Sequence, residues 1–202
     1  ATAMDAMTHA TEAFTCMAKN PLSDAYATAA IKKISHSLLN VMDNPKDSDG
    51  RLELAQASTM AGIAFSNSMV GLVHALGHAT GAICHLPHGL CMSLYLPYVL
   101  EYNLETIRDP LGDLLLYLEG PEVFAATPAS RRAEASISAI RKLRDALYKR
   151  CQLPRTLKET GKVTEDQLDH IAEMALDDGS IMFNPKEVTL EDARAVLRRA
   201  WA

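Results

Sequence analysis

The sequence predicts an all-α fold. Alanine, leucine and methionine are abundant, aromatic residues make up 5% of the chain, and runs of strict apolar alternation are rare. These features favour helices, because unbranched side chains have high helix propensity and a half-buried strand needs strict alternation. With 202 residues, of which 48% are hydrophobic, the chain can bury a core of its own.

Start signals locate several helices along the chain. A helix is predicted to begin at Pro21, since proline is favoured in the first helical turn. A polar turn at 44–50 is followed by a stretch from 51 to about 81 with apolar residues at helical spacing. Thr164 and Thr189 each precede an acidic first turn of the capping-box type. They predict two further helices near the end of the chain.

Turn-forming residues indicate where the later helices end. Breaks are expected at the Asp-Pro pair 109–110, at the Gly-Pro pair 120–121 and at the Asn-Pro pair 184–185. The Asp-Asp-Gly run at 177–179 is interpreted as a helix end without a chemical role. None of these breaks resembles a linker between domains, so one helical domain over residues 1–202 is predicted.

Composition argues against several classes of partner and location. A net charge of -5 and a pI near 5.8 leave no basic face for a phosphate backbone, so no nucleic-acid partner is expected. Apolar runs stop short of the roughly 20 residues that a membrane span requires, and no export signal is recognisable. Four cysteines without CxxC spacing predict a protein of the reducing cytoplasm.

Two pairs of potential metal ligands occur at helical spacing. Asp5 and His9 are four residues apart, as are His74 and His78, and His88 follows in a Pro-His-Gly turn. A separation of four places two side chains on one helix face, with Cβ atoms about 5–6 Å apart. Three imidazoles and one carboxylate suit iron(II), zinc, nickel or cobalt better than magnesium or calcium. The pattern predicts a catalytic metal centre, although spacing alone does not separate His74 from His78.

Structural interpretations of the same residues remain open at this point. Asp5 suits the first turn of a helix, where the helix dipole favours a carboxylate, and the pair His74 and His78 can be hydrogen-bonded core histidines. A zinc knuckle from Cys84, His85, His88 and Cys91 is disfavoured, since both cysteines lie in apolar surroundings. Three histidines without paired ligands are expected to be ordinary surface or core residues: His36, His85 and His170.

Three segments carry a resemblance to a known family. They are MDAMTHATEAF at 4–14, GLVHALGHATGAICHLPHGLCMSLYLPYVLEYN at 71–103 and ALDDGSIMFNPKEVTLED at 175–192. In these segments the chain resembles the C-terminal helical domain of the iron-containing (group III) alcohol dehydrogenases. The resemblance extends from the first residues to the last. It implies the helical half of the architecture that this family shares with the dehydroquinate synthases.

The resemblance also implies a role for each candidate residue. The family's metal ligands correspond to Asp5, His9, His74 and His88. His78 corresponds to a residue beside the metal in the substrate site, where an imidazole with an ordinary pKa of about 6.5 is a candidate for proton transfer. The implied reaction is reversible hydride transfer between a small alcohol and NAD or NADP, giving an aldehyde or ketone, with the metal as Lewis acid.

The chain lacks the sequence pattern of a dinucleotide-binding domain. Neither GxGxxG nor Gly-Gly-Gly-Ser occurs among its ten glycines. In the family this domain is an α/β unit N-terminal to the helical one, so the chain is expected to be the helical half of a longer enzyme. NAD or NADP is then expected to bind mainly to the other half. Family members commonly form homodimers, often through that half, and the helical half alone is expected to have little activity.

Three nearby residues have two open interpretations each. Glu12, one turn after His9, either orients a ligand imidazole or is an exposed helix residue. Phe65 and Met69 precede the histidine pair, and they either line an apolar alcohol pocket or, as is more common for such residues, pack in the core.

Three other functions are weighed against the alcohol dehydrogenase interpretation. A relative similar to glycerol dehydrogenases or dehydroquinate synthases would use the same architecture, often with zinc. A metal-dependent hydrolase would need a carboxylate base near the metal, and the sequence contains no HExxH motif. A helical interaction module without catalysis is disfavoured, because every ligand position is retained.

Overall fold

The computed structural model describes residues 1–202 and contains helices and turns without any strand. The predicted all-α fold is thereby confirmed. Short loops and 3-10 turns join eleven α-helices, which are α1 (Thr2–Thr15), α2 (Pro21–Asp43), α3 (Ser48–Ser66), α4 (Leu72–Cys84), α5 (His88–Asn103), α6 (Arg108–Asp113), α7 (Leu115–Glu119), α8 (Pro121–Ala126), α9 (Arg132–Cys151), α10 (Leu168–Leu176) and α11 (Leu190–Trp201). None of them is both long and apolar enough to cross a membrane.

The predicted helix starts are confirmed. Asn20 caps α2 by accepting hydrogen bonds from the first amides of the helix, and Pro21 follows as its first residue. Thr164 precedes a 3-10 turn that leads directly into α10. Thr189 caps α11 through its hydroxyl. Each cap satisfies amides that have no partner inside the helix.

Two predicted features differ from the structure. The stretch 51–81 forms two helices, α3 and α4, because the chain turns between Ser66 and Leu72. In that turn Met69 has a left-handed φ of 99°. The pair Asp109-Pro110 lies in the first turn of α6 instead of ending a helix, since proline is tolerated where no amide has to be donated.

Helix α5 lies at the centre of the fold. Its residues from Cys91 to Leu100 are buried, and α1, α4, α9 and α11 pack around it. Pro97 lies inside this helix. One turn before it, the carbonyl of Leu94 accepts a hydrogen bond of 3.2 Å from Arg144 of α9. This bond ties the middle of α5 to α9.

Gly77 allows α4 to approach α5 closely. A Cβ at this position would lie 1.9 Å from Cε of Met92, a side chain that is fully buried. We therefore expect Gly77→Ala to lower the free energy of unfolding by about 1–3 kcal/mol through overpacking. The control is Gly62→Ala in α3, where a Cβ would meet no atom within 4 Å; it should stabilise by up to about 1 kcal/mol. Equal effects in urea unfolding would contradict this packing.

Candidate metal centre

Helix α1 carries three polar side chains on one face. Asp5, His9 and Glu12 are separated by four and three residues, which places them on the same side of the helix. Glu12 is 5% exposed although it is an acid. A buried carboxylate needs hydrogen-bond donors, and they come from the first turn of α4.

The start of α4 is held by side chains from distant parts of the chain. Its N-cap residue, Gly71, has no side chain to cap the helix. The Leu72 amide donates instead to Oδ1 of Asn184 at 3.3 Å, and the Val73 amide donates to Oε1 of Glu12 at 2.8 Å. Asn184 lies in the predicted break at 184–185, and its amide is also part of the buried interior. These bonds fix the position of α4, and with it the position of its histidines, relative to α1.

Glu12 also positions His74. Oε2 of Glu12 lies 2.5 Å from Nδ1 of His74, and both side chains are buried. Because a carboxylate only accepts hydrogen bonds, Nδ1 is the nitrogen that donates, and in the neutral ring Nε2 of His74 carries the lone pair. The interpretation of Glu12 as an exposed residue is therefore wrong. Its contact is with His74 rather than with His9, the histidine one turn before it.

A backbone carbonyl orients His9 in the same way. Nδ1 of His9 lies 3.0 Å from the carbonyl oxygen of Asp5, an acceptor, which leaves Nε2 unprotonated in the neutral ring. The ring of Phe65 stacks on the His9 ring with centroids 4.4 Å apart, so Phe65 borders the centre. Met69 is 40% exposed and does not pack in the core.

The structure brings the predicted ligands together. Asp5, His9, His74 and His88 each offer one ligand atom, and these atoms lie within 4.8 Å of one another. Nε2 of His88, the first residue of α5, lies 3.3 Å from Oδ1 of Asp5. His78 lies beside this group, with its ring centroid 5.3 Å from that of His88 and 5.7 Å from that of His74.

The contacts within this group fit a bound cation. The Nε2 atoms of His9 and His74 lie 3.0 Å apart, and in the tautomers described above both carry lone pairs. Burial, followed by the nearby His74 ring, lowers the pKa of His9 to about 4, so the His9 ring itself is neutral at neutral pH. Oδ1 of Asp5 is buried without a hydrogen-bond partner. Facing lone pairs and an unpartnered carboxylate oxygen are a suitable donor set for a divalent transition metal.

The alternative zinc knuckle is not assembled. His88 lies with the group above, and His85 is exposed as the left-handed C-cap of α4. Cys84 and Cys91 are buried, and burial raises the pKa of both thiols, that of Cys91 to about 12. A raised thiol pKa disfavours the thiolate form that a metal requires.

One contact of the site is not apparent from the sequence. Oδ2 of Asp178 lies 2.7 Å from Nδ1 of His78. The run 177–179 follows the end of α10, as predicted, and Asp178 within it also contacts His78. The two residues are 100 positions apart in the chain, and no spacing rule connects them.

Comparisons with known proteins agree with this picture. Residues 1–201 match the family model described as the Fe-containing alcohol dehydrogenase family, C-terminal. The chain is 36% identical over 203 residues to alcohol dehydrogenase 4 of Saccharomyces cerevisiae, and 34% identical over 201 residues to 1,3-propanediol dehydrogenase of Klebsiella pneumoniae. Each of these alignments covers 100% of this chain and 50% of the relative. The chain therefore spans about half the length of the curated relatives it matches.

Solved structures give the same result. The crystal structure of a 1,3-propanediol oxidoreductase matches with a TM-score of 0.92 and 33% sequence identity. An alcohol dehydrogenase from Oenococcus oeni matches with a TM-score of 0.90 and 32% identity. In both cases the match covers 98% of this chain and 50% of the solved chain. The arrangement of helices that forms the site is thus similar in these structures.

Proposed function

Because the chain belongs to the Fe-containing alcohol dehydrogenase family, we propose that residues 1–202 act as the metal-binding catalytic domain of an NAD- or NADP-dependent alcohol oxidoreductase. The proposed substrates are small alcohols and the corresponding aldehydes or ketones. The names of the relatives, alcohol dehydrogenase and 1,3-propanediol dehydrogenase, support this class. The observation that carries the proposal is the convergence of one carboxylate and three imidazoles within 4.8 Å.

We propose iron(II) as the metal, with zinc, nickel and cobalt as alternatives that suit the same donors. Asp5, His9, His74 and His88 would hold it through Oδ1 of Asp5 and one ring nitrogen of each histidine. When bound, the metal supplies a Lewis acid that polarises the substrate oxygen. Glu12 supports this role from outside, since it keeps the Nε2 lone pair of His74 directed at the other donors.

The other residues of the site would receive the substrate and move its proton. The side chains of His78 and His88 are 44% and 42% exposed, so the group is open on this side. The ring of Phe65 covers the ring of another ligand, His9, by stacking on it. We propose that His78 accepts the hydroxyl proton of the alcohol at Nε2, directly or through a water molecule, and returns it when an aldehyde is reduced.

NAD or NADP is proposed to bind mainly to residues outside this chain. A dinucleotide-binding domain needs parallel strands and a glycine-rich turn, whereas residues 1–202 form helices and contain no GxGxxG motif. Hydride transfer needs both the nucleotide and the substrate in one site. The isolated chain is therefore expected to bind metal but to catalyse little turnover.

An activity assay on a fusion protein tests this proposal. The chain would be joined to the half of the Saccharomyces cerevisiae relative that it does not match. The fusion should oxidise short primary alcohols with NAD or NADP when loaded with metal, at least about 100-fold faster than the isolated chain, because reactants held together react faster. Preference for glycerol would favour the glycerol dehydrogenase alternative. Equal turnover by the isolated chain, or a folded and metal-loaded fusion without activity, would contradict the proposal.

A further inference from the structure

We propose that Asp178 is a positioning residue for His78: it holds the His78 ring in the tautomer protonated on Nδ1, so that Nε2 is left as a proton acceptor beside the metal ligands. The inference rests on the proposed function, because Nε2 has a task only if an alcohol binds next to it. It adds a residue from a distant segment to the group of side chains that would serve the reaction.

The contacts of Asp178 fix the direction of both its oxygens. Oδ2 lies 2.7 Å from Nδ1 of His78, and Oδ1 accepts a hydrogen bond of 2.8 Å from the Ser180 amide. The second bond prevents the carboxylate from turning away from the ring. Although burial opposes it, the hydrogen bonds from Ser180 and His78 lower the pKa of Asp178, which therefore remains an acceptor at neutral pH.

The segment that carries Asp178 is attached to the same helix as His78. Asp178 caps the 3-10 turn Gly179–Phe183, and this turn packs against α4. Helix α10, immediately before Asp178, also packs against α4. The two side chains are thus held together by packing on both sides of the contact, as a precise orientation requires.

The contact repeats an arrangement found at two other histidines of the site. Nδ1 of His74 faces a carboxylate of Glu12, and Nδ1 of His9 faces the carbonyl of Asp5. In each case the oxygen accepts, and Nε2 is left unprotonated. An ordinary surface ion pair would not require the ring to lie 5.3 Å from His88. The shared arrangement therefore assigns His78 to the site, on its exposed side.

The role of this tautomer in the reaction is specific. When the alcohol is oxidised, its carbon loses a hydride to NAD or NADP and its oxygen loses a proton. An unprotonated Nε2 can take that proton and form the imidazolium, which later releases it to water. Asp178 would stabilise the imidazolium through the existing hydrogen bond. A His78 ring already protonated on Nε2 would present a hydrogen-bond donor where an acceptor is needed. Nε2 could then not accept the hydroxyl proton of the alcohol.

Nitrogen-15 NMR of the histidine-labelled, zinc-loaded chain tests the inference, because protonated and unprotonated ring nitrogens have well separated shifts. The signals of His78 are identified because they are absent from the spectrum of His78→Asn. We expect them to show that His78 is protonated on Nδ1. Asp178→Asn should shift the proton to Nε2, since the new amide donates to Nδ1, and Asp178→Glu should restore the original tautomer. The control is Asp177→Asn, an exposed neighbour, which should change nothing. Zinc content is measured on every sample.

The outcomes separate the two proposals. Two results would overturn the positioning role alone, provided that zinc is retained. One is a His78 ring protonated on Nε2 in the unmodified chain, and the other is an unchanged tautomer of His78 in Asp178→Asn. Failure of the unmodified chain to bind zinc would contradict the proposed metal centre, and the positioning role would fall with it. Retained zinc together with a tautomer that changes in Asp178→Asn and returns in Asp178→Glu is the result we expect.

Discussion

A chain carrying His88→Ala is expected to lose its metal while keeping its fold. His88 offers one of the four ligand atoms, so its removal should weaken metal binding by at least about 100-fold. This effect should exceed that of removing a residue that only hydrogen-bonds to a ligand. Its side chain is 42% exposed, so its removal opens no cavity in the core. The free energy of unfolding of the metal-free chain should therefore change by no more than about 1 kcal/mol.

Metal analysis and urea unfolding of the same samples measure both effects. The control is His170→Ala, because His170 is exposed on α10 and does not belong to the group of ligands. It should retain about one metal per chain and unfold like the unmodified protein. If His88→Ala held metal as tightly as the control, the assignment of His88 as a ligand would be wrong.

The second large effect is expected for Glu12→Gln, which should weaken metal binding about 10- to 100-fold. Glutamine can still accept the Val73 amide with its carbonyl oxygen, so the start of α4 should remain in place. Its amide group, however, would donate to Nδ1 of His74, where the carboxylate accepts. The proton of His74 would then lie on Nε2, the nitrogen that faces His9, and this tautomer cannot bind a metal there.

Glu12→Ala should add a loss of stability to the loss of metal. It leaves the Val73 amide and Nδ1 of His74 buried without partners. Each unsatisfied group should lower the free energy of unfolding by about 1–3 kcal/mol. Calorimetric zinc titration and urea unfolding of the metal-free chain separate the two effects. The control is Glu173→Gln, because Glu173 is an exposed residue of α10. Zinc binding by Glu12→Gln equal to that of the control, or equal stability of the Ala and Gln variants, would refute this role of Glu12.

The features that could be predicted from the sequence are those that depend on local patterns. Helix starts at Pro21 and Thr189 follow from the residues of a single turn. The pairs Asp5 with His9 and His74 with His78 follow from one helical spacing, and the structure brings both pairs to one place. The chemistry of these side chains indicates a metal without knowledge of the tertiary structure.

The remaining features depend on contacts between distant segments. Glu12 and His74 are 62 residues apart, and Asp178 and His78 are 100 apart, so no local rule pairs them. The break between α3 and α4 is missed for another reason. Asn67 and Gly71 in that turn are local signals for a break, but apolar residues at helical spacing continue on both sides of them, and the left-handed residue is Met69 rather than either of these two.

Anomalous diffraction at the zinc edge, from crystals of the zinc-loaded chain, tests the metal centre most directly. We predict one strong peak, about 2.0–2.2 Å from a carboxylate oxygen of Asp5 and about 2.0–2.1 Å from a ring nitrogen of His9, His74 and His88. The His78 ring should lie beside this peak without binding the metal. A peak at other residues, or no peak between these four side chains, would contradict the central claim that they form a metal site.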